Sequence, residues 1–126
     1  MNQFVDYTLA KSMQRIGFKE DCLAVIDQTD FLQIKGARKV PRAAMCYDEI
    51  PCPTWQQCFD YFRDIHKRTS HIDIHKVDEF GHITYYYKIH NFENGFEENG
   101  YIKVAGYHSL YETATKCLEE LLNYVK

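Results

Sequence analysis

The sequence predicts an α+β domain with antiparallel strands packed on a layer of helices, in the element order α-βββ-α-βββ-α. Three observations carry this reading. Three segments repeat apolar residues at helical spacing, and two of them open with a capping box. The segments between them alternate apolar and polar residues, or form short apolar runs bounded by turn residues, as strands do. The composition is that of a folded chain, 45% hydrophobic and 26% charged, with ten Tyr and eight Phe suited to half-buried sheet faces.

Residues 3–16 read as the first helix. Phe4 or Val5, Leu9, Met13 and Ile16 share a face, Lys11, Gln14 and Arg15 lie outside it, and Gly17 stands where a left-handed C′ residue is wanted. Cys22-Leu-Ala-Val-Ile26 is a nearly continuous apolar run, the pattern of a strand buried on both faces. A turn over 27–30 leads to its hairpin partner, 31–35. Gly36 and Pro41 mark the following stretch as a loop, and 43–48 reads as a third strand before Pro51-Cys52-Pro53.

The second helix follows from Thr54 as N-cap and Gln57 three residues on, each side chain bonding the other's backbone N–H. Trp55, Cys58, Phe59, Phe62 and Ile65 form its stripe, and it runs to about Lys67. Two alternating runs, 71–75 and 83–89, are separated by a turn around Gly81. Pairing Val77 with His82 puts Ile72 and Ile74 on one face with Ile83, Tyr85, Tyr87 and Ile89; a slip of one residue mixes apolar with polar. An acidic loop with two Asn-Gly steps covers 91–100, and the next strand begins at Tyr101, with Ile102 and Val104 toward the core. Ser109 and Glu112 form a second capping box before the last helix. Its stripe is Ala114, Cys117, Leu118, Leu121, Leu122 and Val125.

Residues 1–126 are one domain by length. The net charge of −3 disfavours bulk attraction to nucleic acid or anionic lipid. No charged-then-apolar leader and no apolar run of about 20 residues is visible, which points to a cytoplasmic protein without a membrane partner. Cys22, Cys46, Cys52, Cys58 and Cys117 are odd in number and form no close pair, so reduced thiols are expected.

The segment 53–63, the capped terminal helix 111–126 and the opening 9–22 together resemble small uncharacterised proteins encoded by phages and mobile elements of gut Bacteroidetes. The resemblance rests on a cap, a Trp, a Phe stripe and a helix end, and it implies a mobile-element origin and an accessory role. It supplies no catalytic or binding residue. The C-terminal α-βββ-α half also has the topology of a double-stranded RNA-binding domain. That fold binds through lysines at the start of its last helix, where this chain has Ser109-Leu-Tyr-Glu112.

Two clusters are candidate sites. His71-x-Asp73-x-His75 places three metal-ligand types on one strand face. Residues two apart on a strand stand about 6–7 Å apart, however, while zinc needs ligands at about 2.0–2.2 Å, so a polar sheet face is the preferred reading. Lys35, Arg38, Lys39 and Arg42 gather four positive charges in one loop, a pattern able to grip phosphate. The sequence points first to a non-enzymatic module that binds another protein and needs no cofactor. The alternative is a weak nucleic-acid-associated protein using loop 35–42, and the third reading is a metal-dependent enzyme at the histidine strand.

Overall fold

The computed structural model describes residues 3–35, 48–91, 100–107 and 109–125, the strand 100–107 through its backbone pairing. The elements are α1 (Tyr7–Arg15), β1 (Ala24–Ile26), β2 (Leu32–Ile34), β3 (Ile50–Cys52), α2 (Trp55–His66), β4 (Arg68–Val77), β5 (Ile83–Asn91), β6 (Gly100–Tyr107) and α3 (Leu110–Asn123). This is the α+β class and the element order read from the sequence. The chain divides into two compact units, the described residues up to 58 forming one and those from 59 onward the other.

In the first unit the antiparallel sheet runs β2-β1-β3. β1 is the central strand and all three of its residues are buried, as its unbroken apolar run requires. Its partner β3 lies at Ile50–Cys52 rather than at 43–48, most of which falls outside the described residues. Pro51 is opposite Val25, and it is tolerated there because β3 is an edge strand, where a missing N–H costs no ladder bond on the open side.

The first helix is shorter than expected. Asp6 caps α1, accepting from Leu9 N–H at 2.9 Å, and residues 3–5 instead lie extended against the start of α2. Phe4 bridges Thr54, Val5 N–H donates to Pro53 O at 3.2 Å, and Trp55 N–H donates to Gln3 O at 3.1 Å. An isolated start of this kind has no helical partner for its N–H groups, so pairing with a second segment satisfies them better than fraying does. At the other end, Phe18 N–H reaches Met13 O and Gly17 N–H reaches Gln14 O, with Gly17 at φ 102°, the expected left-handed stop.

The β1–β2 turn is closed by Asp27. Its carboxylate accepts from Thr29 N–H (2.8 Å), Phe31 N–H (3.2 Å) and the Thr29 hydroxyl, while its carbonyl accepts from Asp30 N–H (3.0 Å). Asp30 carries the turn's positive φ, 63°, and its own carboxylate accepts from Tyr7 N–H at 2.9 Å.

α2 begins in the first unit and continues into the second. Its capping box is complete: Gln57 N–H donates to Thr54 Oγ1 and Thr54 N–H to Gln57 Oε1, both at 3.1 Å. Trp55, Cys58 and Phe62 are buried, but Ile65 is 61% exposed, against expectation. The core-facing side in the last turn is taken by His66, which is half-buried with its ring 5.5 Å from that of Phe62 one turn earlier. Ile65, about 100° away around the helix axis, is thereby turned outward. Lys67 then stops the helix at φ 56°.

In the second unit the sheet runs β4-β5-β6, all antiparallel. From Arg68 to Ile74 the pairing is the one the alternation demanded, with Ile72 opposite Tyr87 and Ile74 opposite Tyr85. Beyond Ile74 the register shifts by one at His75, so Lys76 faces Thr84 and Val77 faces Ile83. The β4–β5 turn is closed by Asp78. Its carboxylate accepts from Phe80 N–H (2.9 Å) and His82 N–H (2.8 Å), its carbonyl accepts from Gly81 N–H (3.1 Å), and Gly81 has φ 81°. In β6, Ile102 stands opposite Lys88 and Lys103 opposite Tyr87. The expected core-facing placement of Ile102 and Val104 lies outside the described side chains.

α3 packs on this sheet through Thr113, Ala114, Cys117, Leu118, Leu121 and Leu122, all buried. Ser109 caps it, accepting from Glu112 N–H at 3.3 Å, and Tyr124 at its far end lies under the Arg68 guanidinium, 4.9 Å from ring centroid to Cζ.

Candidate functional site

The two faces of the β4–β5 hairpin present the side chains that bear on function. β6 ends at Tyr107 opposite Tyr85, and Tyr124 meets Arg68 at the start of β4. α3 therefore runs back along the sheet from the Tyr85 end to the Arg68 end. Its 14 residues span about 21 Å at about 1.5 Å each, whereas the ten residues of β4 span about 33 Å. A helix of that length cannot cover the whole hairpin. Burial follows this limit: Tyr87 and Ile89 are buried, Ile83 and Tyr85 are half-buried, and Ile74 and Val77 are 49% and 56% exposed. Phe80, on the turn, is 77% exposed. Ile74 was expected in the core, and the short helix is what leaves it out. Val77 reaches the apolar face because the extra residue at His75 reverses the alternation after it.

The opposite face is polar. It carries Thr69, His71 and Asp73 on β4 and Thr84, Tyr86, Lys88 and His90 on β5, with Lys76 opposite Thr84. The rings of His71 and His75 flank Tyr86 at 6.4 and 6.2 Å, both edge-on. His71 Nε2 lies 3.4 Å from Asp73 Oδ2, and the other oxygen of Asp73 accepts from Ile74 N–H at 2.7 Å. The predicted trio thus shares one face, yet Asp73 is held by His71 and by its own neighbour's backbone. Among the described residues no three His, Cys, Asp or Glu side chains are grouped to hold a metal ion.

Of the basic loop, Lys35 is exposed and its Nζ donates to Gln33 Oε1 at 2.8 Å. Arg38, Lys39 and Arg42 lie outside the described residues.

Cys22, Cys52, Cys58 and Cys117 are buried, and none of the four is in a disulfide among the described residues. Burial pushes the Cys52 thiol up to about 12, and it raises Cys58 in the same direction. Burial likewise pushes Cys117 up to about 12, against the opposing hydrogen bond with Ser70. Three of these thiols are therefore held in the form that is neither nucleophile nor metal ligand, and act as small apolar core groups.

Sequence reasoning singled out the histidine strand but not Val77 or Phe80. Val77 sits at an odd position in the alternation, and only the irregularity at His75 reveals its face. Among the described residues no helix is long and apolar enough to cross a membrane. Searches against family models, curated proteins and solved structures returned no match to this chain.

Proposed function

We propose that this protein is a non-enzymatic interaction module, a cytoplasmic accessory protein of a phage or mobile element, which docks another protein on the uncovered apolar end of the β4–β5 hairpin. The observation that supports it is the continuation of the core face past the end of α3, through Ile74 and Val77, with Phe80 at the tip. Apolar side chains grouped on an open sheet face mark partner surfaces more often than scattered ones do. The buried, unreactive thiols and the self-satisfied Asp73 agree with a binding role rather than chemistry.

The test is a photo-crosslinking residue placed at Val77 in the full chain, in cells that carry the native gene. A discrete protein adduct is expected from position 77, lost when Ile74→Lys is added, and not given by the same group at His71 on the opposite face. Equal labelling from positions 71 and 77, or none from 77, refutes the reading. Far-UV circular dichroism of the Ile74→Lys variant controls for folding, since an exposed strand position tolerates a lysine at little cost.

A further inference from the structure

We infer that the polar face of the β4–β5 hairpin binds single-stranded nucleic acid, with Tyr86 as the stacking residue and Lys76 and Lys88 as the phosphate contacts. This reading uses the face opposite the apolar end and does not depend on the docking proposal above.

Among the described residues of this face the cations are Lys76 and Lys88 and the one acid is Asp73, while His71, His75 and His90 add ring nitrogens able to hydrogen-bond. That acid lies 3.4 Å from His71 Nε2 and accepts from Ile74 N–H. Among the described residues this face thus carries more cations than acids although the chain's net charge is −3, and two lysines on one face can meet a polyanion there.

Tyr86 is on the central strand, half-buried, and bracketed by two edge-on imidazoles at 6.4 and 6.2 Å. These neighbours hold the ring in place on the sheet. The register shift at His75 contributes here, because it lets His75 and Lys76 both accompany the same stretch of β5. Lys88 lies two residues along β5 from Tyr86 on the same face, and Lys76 stands opposite Thr84, two residues the other way. A base plane flanked by cations on both sides is the arrangement that binds unpaired strands: stacking needs an accessible base, and the cations follow the backbone. A duplex hides its bases from such a platform.

The experiment is fluorescence anisotropy of short labelled oligothymidylate and oligouridylate with the full chain at low ionic strength. Binding of at least one is expected, and the comparison of the two separates DNA from RNA. With two phosphate contacts, the slope of log affinity against log salt is expected near about −1.4, at about 0.7 per contact on a single strand. Lys88→Ala should reduce that slope by about 0.7. Tyr86→Ala should weaken binding about 5- to 150-fold with the slope unchanged, and Tyr86→Phe should restore it. The Phe variant also guards against a fold defect, because it keeps the ring. Four results overturn the inference: no binding, duplex bound as well as single strand, displacement by oligoglutamate at equal charge, or a loss caused by Arg38→Ala with Lys39→Ala while Lys88→Ala has no effect.

Discussion

Replacing Trp55 by alanine removes the largest side chain that locks the start of α2. Trp55 is only 5% exposed, so nearly all of its ring is withdrawn from water. An aromatic of this size buries about 150–250 Å², which at about 25 cal/mol per Å² amounts to about 4–6 kcal/mol. An extended reference chain overstates burial by about 10–40%, bringing the figure to about 3–5 kcal/mol, the range found for large aromatics removed from cores. The backbone bond from Trp55 N–H to Gln3 O survives the substitution, so the loss is that of the side chain. Against a typical stability of about 5–15 kcal/mol, such a variant sits near the edge of folding. Because Trp55 is the only tryptophan, the urea transition of the variant is followed by far-UV circular dichroism, and the parent by both dichroism and fluorescence. Trp55→Phe should show a smaller loss. An Ala variant with an unchanged midpoint and unchanged slope would refute the assignment of Trp55 to a core.

Two further outcomes follow from backbone and charge. Lys67 ends α2 at φ 56°, a conformation costing a side-chain-bearing residue about 1–2 kcal/mol, so Lys67→Gly should raise stability by about 0.5–1 kcal/mol after the entropic cost of glycine. A lower urea midpoint instead would show that the Lys67 Nζ bond to Asp64 O at 2.8 Å matters more. Asp27 is held below its ordinary value of 3.8, first by the Thr29 hydroxyl, then by the Thr29 N–H. A depressed carboxyl contributes stability that is present above its unfolded value and is lost as pH falls through the folded one. Urea midpoints of the parent should therefore fall more steeply below about pH 4 than those of Asp27→Asn, and parallel curves would remove Asp27 from the account.

Much of this fold was legible because local rules and tertiary contacts agree. The reciprocal bonds of Thr54 and Gln57, the burial of Ala24–Ile26 on both faces, and the pairing of Ile72 with Tyr87 each follow from spacing alone. The discrepancies share a cause, which is that periodicity assigns a face but not the length or position of what covers it. Ile65 has the spacing of a core residue and is displaced by His66. Ile74 has the parity of a core residue and lies where α3 is too short to cover it. Residues 3–5 carry a helical pattern, but the start of α2 offers their backbone a better partner. The candidate sites were less legible still. A sequence shows that His71, Asp73 and His75 alternate; it does not show that Asp73 is already occupied, or that one extra residue swings Val77 to the apolar side.

The turns at Asp27 and Asp78 repay comparison. In each, one aspartate takes two backbone N–H groups on its carboxylate and a third on its carbonyl, and its own N–H returns to the carbonyl four residues on: Asp27 to Phe31 at 3.3 Å, Asp78 to His82 at 3.0 Å. All of this is contained in five consecutive residues and borrows nothing from the rest of the protein. Such a closure is a portable part. Residues 78–82 should close the β1–β2 hairpin when transplanted to 27–31; the exchange would lose the Thr29 hydroxyl bond to Asp27, since Phe80 stands in that place, and the bond from Tyr7 N–H to Asp30, since glycine occupies the corresponding place in the second turn. Asp30 thus accepts a strained φ of 63° that Gly81 avoids, and in return ties a hairpin to the first turn of a helix.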